Sequence, residues 1–150
     1  MACGDSKSAP STYTHKTPAF ALDAPGGWKA GAPSDGMMGA KTVNFSGGRA
    51  SHSLMVTYKK KPRGDAANKR DVYKQVVIAT DKKQKVVAEG KLPNGGGVWL
   101  ETDRLGGLVL AWLDSGDHRI ECMANGSKAL LKACKSLRLP TAAKATTKKK

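Results

Sequence analysis

Residues 98–124 read VWLETDRLGGLVLAWLDSGDHRIECMA, and their pattern decides the fold. Three β-rich runs, Val98–Thr102, Leu108–Leu113 and Arg119–Ala124, are set apart by Asp103 and Gly106-Gly107 and then by Asp114-Ser115-Gly116-Asp117. Short apolar runs punctuated in this way form an antiparallel meander. The middle run is apolar on both faces: Leu108, Leu110 and Trp112 fall on one, Val109, Ala111 and Leu113 on the other. A strand with no polar face belongs inside a sheet that is covered on both sides.

The segment that follows supplies one of the covers. Ser127 is placed to cap a helix over Lys128–Arg138, whose Leu130, Cys134 and Leu137 share a stripe, and Pro140 stops it. Cys122 faces inward on the third run together with Ile120 and Ala124. The short turn after it folds the helix back over the strand it leaves, so the sulfurs of Cys122 and Cys134 can meet. A disulfide is the expectation, two buried free thiols the alternative. A bridge closing so short a loop contributes on the order of 3 kcal/mol.

Upstream, Ala19–Ala24 alternates Phe20 and Leu22 with small or polar neighbours and reads as a strand, broken by Pro25-Gly26-Gly27 before Trp28. Lys41–Phe45 is a short strand after a Gly-rich loop. In Ser53–Lys59 the residues Leu54, Val56 and Tyr58 face one way and Ser53, Thr57 and Lys59 the other, the pattern of a half-buried strand. Residues 66–82 place Val72, Val76 and Ala79 on a helical stripe opened by Asp65 as N-cap. Gln75–Thr80 is β-rich, and in the other reading it pairs with Lys85–Glu89 across the turn at 81–84. Strands with a few covering helices give an α+β domain, an antiparallel sheet covered by helices. The expected layout is a polar tether over residues 1–18, one domain over 19–140 and a basic, disordered tail over 141–150.

Two resemblances add to this reading. Ala2-Cys3-Gly4-Asp5-Ser6 resembles the start of a mature bacterial lipoprotein, with Met1 standing where the signal peptide was cut. The resemblance implies that Cys3 carries a diacylglycerol on its sulfur and that the polar arm spaces the domain from the bilayer. It also explains an odd cysteine in an exported chain. The strand leading into a Pro-Gly-Gly-Trp turn (residues 20–28), with the long antiparallel run and packed helix of residues 98–138, resembles the PsbP-like fold. That fold is shared with the Ran-binding Mog proteins and many bacterial lipoproteins. It implies a layered sandwich and a binding or assembly role, since its members are mostly non-catalytic accessory proteins. No site residues follow from it.

The charge is lopsided, 26 Lys+Arg against 12 Asp+Glu and a net +14, which attracts polyanions of several kinds. Lys59, Lys60, Lys61 and Arg63 continue past a strand end, and Lys82, Lys83 and Lys85 follow residues 66–82. If the two loops share an end of the domain, they make one positive patch. Aromatic residues are only 5% of the chain, too few to interleave with that charge as a single-strand nucleic-acid binder requires. His15, His52 and His118 lie far apart and read as isolated surface residues, without metal-ligand spacing. Glu101 and Asp103 share a strand face, and charge pairing with Arg119 and Glu121 on a solvated face accounts for them. Hydrolase and phosphate-loop signatures are missing. The expectation is therefore a non-enzymatic, lipid-anchored binding or accessory protein facing the periplasm, exported across the inner membrane. It has no cofactor, a protein partner in the cell envelope and membrane contact through Cys3. The alternative is a soluble polyanion binder using residues 59–63 and 82–85.

Overall fold

The doubly apolar run is the strand Leu108–Ser115, and its two faces place every other element. The computed structural model describes residues 11–36, 39–47, 52–61, 64–80, 84–93 and 96–140, with the side chain of Leu105 excepted. In chain order the strands are Ser11–His15 (β1), Phe20–Ala24 (β2), Lys29–Ala30 (β3), Ser34–Asp35 (β4), Lys41–Ser46 (β5) and Ser53–Lys60 (β6). Helix α1 (Ala66–Val72) runs on into a π-helical segment, Tyr73–Ile78. Then come β7 (Val86–Lys91), β8 (Gly97–Thr102), β9 (Leu108–Ser115), β10 (His118–Asn125) and helix α2 (Lys128–Lys135).

β1 and β2 form a two-stranded hairpin, and the other strands make an antiparallel sheet in the order β3-β5-β6-β10-β9-β8-β7, with β4 also paired to β5. β9 sits inside it between β8 and β10, buried along both faces as its composition demands. On one face Val109, Ala111 and Leu113 join Leu54, Val56, Ile120 and Cys122, and α2 and β2 close over them with Leu130, Cys134, Leu137, Phe20 and Leu22. On the other, Leu110 and Trp112 join Val98 and Leu100 under Ala66 of α1, with Tyr73 and Ile78 alongside. Each large aliphatic side chain so buried contributes about 1.5–3 kcal/mol, so the β9 residues commit the chain to layers on both sides. The architecture is the expected α+β, mostly antiparallel sheet with a helix on either face.

Local chemistry sets the element ends. The Ser127 side chain accepts from the Leu130 amide at 3.4 Å and caps α2. The helix stops at Lys135, short of the expected Arg138, because the Arg138 backbone pairs with Ala21 of β2 through two hydrogen bonds of 2.8 and 2.9 Å. Asp65 accepts from the Asn68 amide at 2.8 Å, the expected cap. Residues 66–80 are helical, so Val86–Lys91 is free to pair with β8 rather than with residues 75–80. Pro25–Trp28 is a turn closed by a 3.0 Å hydrogen bond, with Gly27 at φ +85° where a side chain would be strained.

Two expectations are corrected. The stripe Val72, Val76, Ala79 faces water, with Val76 57% exposed. Ala66, Ala67, Tyr73 and Ile78 face the sheet instead, and the wide turn of the π-helical segment keeps Tyr73 and Ile78 on that side. The tether expected over residues 1–18 does not extend over 11–15, which form β1. Tyr13 packs edge-on against Phe45 with ring centroids 5.4 Å apart, His15 stacks on Phe20 at 4.8 Å, and Thr12 donates to Asp23 at 2.9 Å. Residues 1–10 and the tail over 141–150 lie outside the described residues.

Candidate binding surfaces

Cys122 and Cys134 form the expected disulfide, 12 residues apart with a Cα–Cα distance of 5.4 Å and both side chains fully buried. β10 directs Cys122 inward, and the last turn of α2 brings Cys134 back above it. Cys3, the third cysteine, lies outside the described residues.

The described residues of the two basic loops, Lys59–Lys61 and Lys85, lie at opposite ends of the sheet. Lys59 and Lys60 close β6, and the amide of Lys61 donates to Asp117 O at 2.8 Å, at the end of the sheet where Lys60 pairs with His118 and His118 with Ser115. Lys85 is at the opposite end, beside Thr102. Its amide donates to an Asp103 carboxylate oxygen at 2.7 Å, and its carbonyl accepts from the Asp103 amide at 3.2 Å. The length of β8, six residues, separates the ends by about 20 Å. Arg63, Lys82 and Lys83 lie outside the described residues. Among the described residues the lysine run Lys59–Lys61 stands at one end.

The acidic groups also differ from expectation. β9 lies between β8 and β10, so Glu101 and Asp103 do not meet Arg119 and Glu121 across strands. Glu101 accepts from Lys135 Nζ at 2.7 Å, and that ammonium sits 4.4 Å above the Trp99 ring. Arg119 is buried, 5% exposed. Its guanidinium bonds Asp114 at 2.7 and 3.3 Å and the Gly64 carbonyl at 2.8 Å, pinning the β9–β10 hairpin to the entry of α1. Glu121 accepts from Trp112 Nε1 at 2.8 Å. His118 bonds Asp117 at 2.8 Å, and His15 is part of the aromatic cluster on β2 and β6 rather than an isolated surface residue. Among the described residues no group of three or more His, Cys, Asp or Glu is placed to hold a metal, and no helix is long and apolar enough to cross a membrane.

The carboxyls of Asp23 and Glu89 are tuned by their neighbours. Burial pushes Asp23 up, but hydrogen bonds from Arg138 and Thr12 and the Arg138 charge outweigh it and hold the carboxyl below its ordinary value. Glu89 on β7 is held low mainly by the hydrogen bond from Lys74, with Arg70 also beside it.

Between α1, β6 and β10 lies a groove lined by Thr57, Lys59, Lys69, Trp112, Arg119 and Glu121. The sequence carried part of its signal, since Thr57 and Lys59 share the polar face of their strand. Lys69 arrives only through the packing of α1 across the sheet. A second, wider cleft joins Asp65, Ala66 and Ala67 to Gly96–Val98 and Asp114.

An antiparallel sheet with helices on both faces, entered through a strand and a Pro-Gly-Gly-Trp turn and closed by a C-terminal helix, is consistent with the PsbP-like fold, and the structural comparison bears it out. The chain is similar in structure to cyanobacterial PsbP (CyanoP) from Synechocystis sp. PCC 6803, solved in solution, with a TM-score of 0.60 over 89% of this chain and 94% of that one. The two are 13% identical, so the likeness is one of fold. No protein-family model and no curated protein matches the sequence.

Proposed function

We propose that this chain is a non-catalytic binding or accessory module, held at a membrane through a lipid on Cys3 and facing the periplasm. The observation that carries the reading is the buried Cys122–Cys134 bridge. Disulfides of this kind persist in oxidising compartments, and the bridge uses two of the three cysteines. It leaves Cys3, at the head of a Ser- and Pro-containing arm, as the odd thiol. The PsbP-like architecture supports an accessory role, because the resemblance implied one. The partner in this reading is a protein of the cell envelope.

Expression in a bacterium with the native upstream sequence tests the anchor. The wild-type protein should sediment with membranes, while Cys3→Ser should be released or left unprocessed with its calorimetric melt unchanged. Equal solubility of the two proteins would sink the anchored reading and leave polyanion binding through Lys59–Lys61. That alternative requires an affinity that falls steeply with salt.

A further inference from the structure

The groove between α1 and β6 has charges that no described carboxylate pairs with. Lys41, Lys74 and Lys135 are engaged by Asp35, Glu89 and Glu101. Arg119 is satisfied by Asp114 and Gly64. Lys59 and Lys69, on opposite walls, are both exposed, and neither has a carboxylate within ion-pair distance among the described residues. The floor is different in kind. Trp112 is 1% exposed and fixed by packing, and its indole N–H holds one oxygen of Glu121 at 2.8 Å. The other oxygen takes no hydrogen bond from the described residues. Thr57 presents a hydroxyl beside it, and that hydroxyl lies 3.2 Å from the hydroxyl of Thr42.

We propose that this groove receives an acidic peptide segment of a partner protein, its carboxylates between Lys59 and Lys69 and an amide N–H on the open oxygen of Glu121. A dense polyanion meets repulsion from the Glu121 carboxylate at the floor. A peptide carries both the acceptors that suit the lysines and the donor that suits Glu121, and opposed charges across an interface fix register and partner choice. The proposal rests on the binding role above and names its ligand chemistry, but it is independent of Cys3.

The test uses the full chain carrying Cys3→Ser, titrated at low salt with a peptide of alternating Glu and Ala and, separately, with inorganic polyphosphate. Binding is followed by amide and indole chemical shifts. The peptide should move Thr57, Lys59, Lys69, Glu121 and the Trp112 indole N–H. Lys59→Glu with Lys69→Glu should weaken it by roughly tenfold or more, and the milder Lys59→Gln with Lys69→Gln by less. The control Lys128→Glu with Lys132→Glu, on α2 across the sheet, should change affinity by less than about twofold. Equal losses in the groove and control variants would overturn the proposal, as would no peptide binding, or polyphosphate moving the same resonances with the same dependence on Lys59 and Lys69. If the groove fails while the native protein still fractionates with membranes, anchoring stands and only the ligand site is lost.

Discussion

Removing the Cys122–Cys134 bridge perturbs one covalent link whose loop length is known. The two residues are 12 apart, and closing so short a loop withholds on the order of 3 kcal/mol of conformational entropy from the unfolded chain. For a domain of this size each kcal/mol moves the melting temperature by about 3–5 °C, so loss of the bridge should lower it by roughly 10–15 °C. The clean comparison is calorimetry of oxidised protein against protein unfolded, reduced and refolded in reductant, because both side chains then stay in place. Cys122→Ala with Cys134→Ala should fall further, by about 1–2 kcal/mol, since both sulfurs are fully buried and leave space behind. Thiol titration of the unreduced protein in denaturant should find a single free thiol, that of Cys3. Three free thiols, or a shift under about 3 °C between oxidised and reduced protein, would refute the reasoning and remove the case for an oxidising compartment.

Arg119→Met leaves Asp114 partly buried without its partner and should cost about 3–5 kcal/mol in urea unfolding. Adding Asp114→Leu should recover much of that, and a single-variant cost under about 1 kcal/mol would show that the pair does not hold the hairpin to α1. Asp23 has a folded pKa below its ordinary value, so its contribution is fully present above the unfolded carboxylate value near 4 and is lost as pH falls through the lower folded one. Acid titration of stability should therefore be shallower for Asp23→Asn in that window, and identical slopes would remove the Arg138–Asp23 tie from the account of how β2 is held.

What the sequence disclosed follows from where the information lay. Leu108–Leu113 was legible because apolar residues on both alternations leave a strand no exposed side, and the layers then follow. The cap at Ser127, the stripe through Cys134 and the pairing with Cys122 were legible because they sit within a few turns of one another. β1 was not, because Ser11–His15 carries only Tyr13 as an apolar side chain and gains its stability from Phe20, Phe45 and Tyr58, residues brought to it by folding. The stripe through Val72 and Val76 misled because an ideal helical period was assumed where the segment widens into a π-helix. The relation of the two basic loops was not legible, since antiparallel pairing sends the described Lys60 and Lys85 to opposite ends of the sheet. The groove draws on β6, α1 and β10, and only the tertiary arrangement sets Lys59, Lys69 and Glu121 around one space.

The proposed anchoring turns on one atom, the sulfur of Cys3. A single acyl chain gives marginal attachment, whereas two chains on one thioether hold a protein at a bilayer without any spanning helix. The direct measurement is the mass of the N-terminal peptide from protein made in a bacterium with its native upstream sequence. The expected result is a diacylglycerol thioether on Cys3 in the membrane fraction. An unmodified Cys3 thiol on protein recovered in the soluble fraction would contradict it.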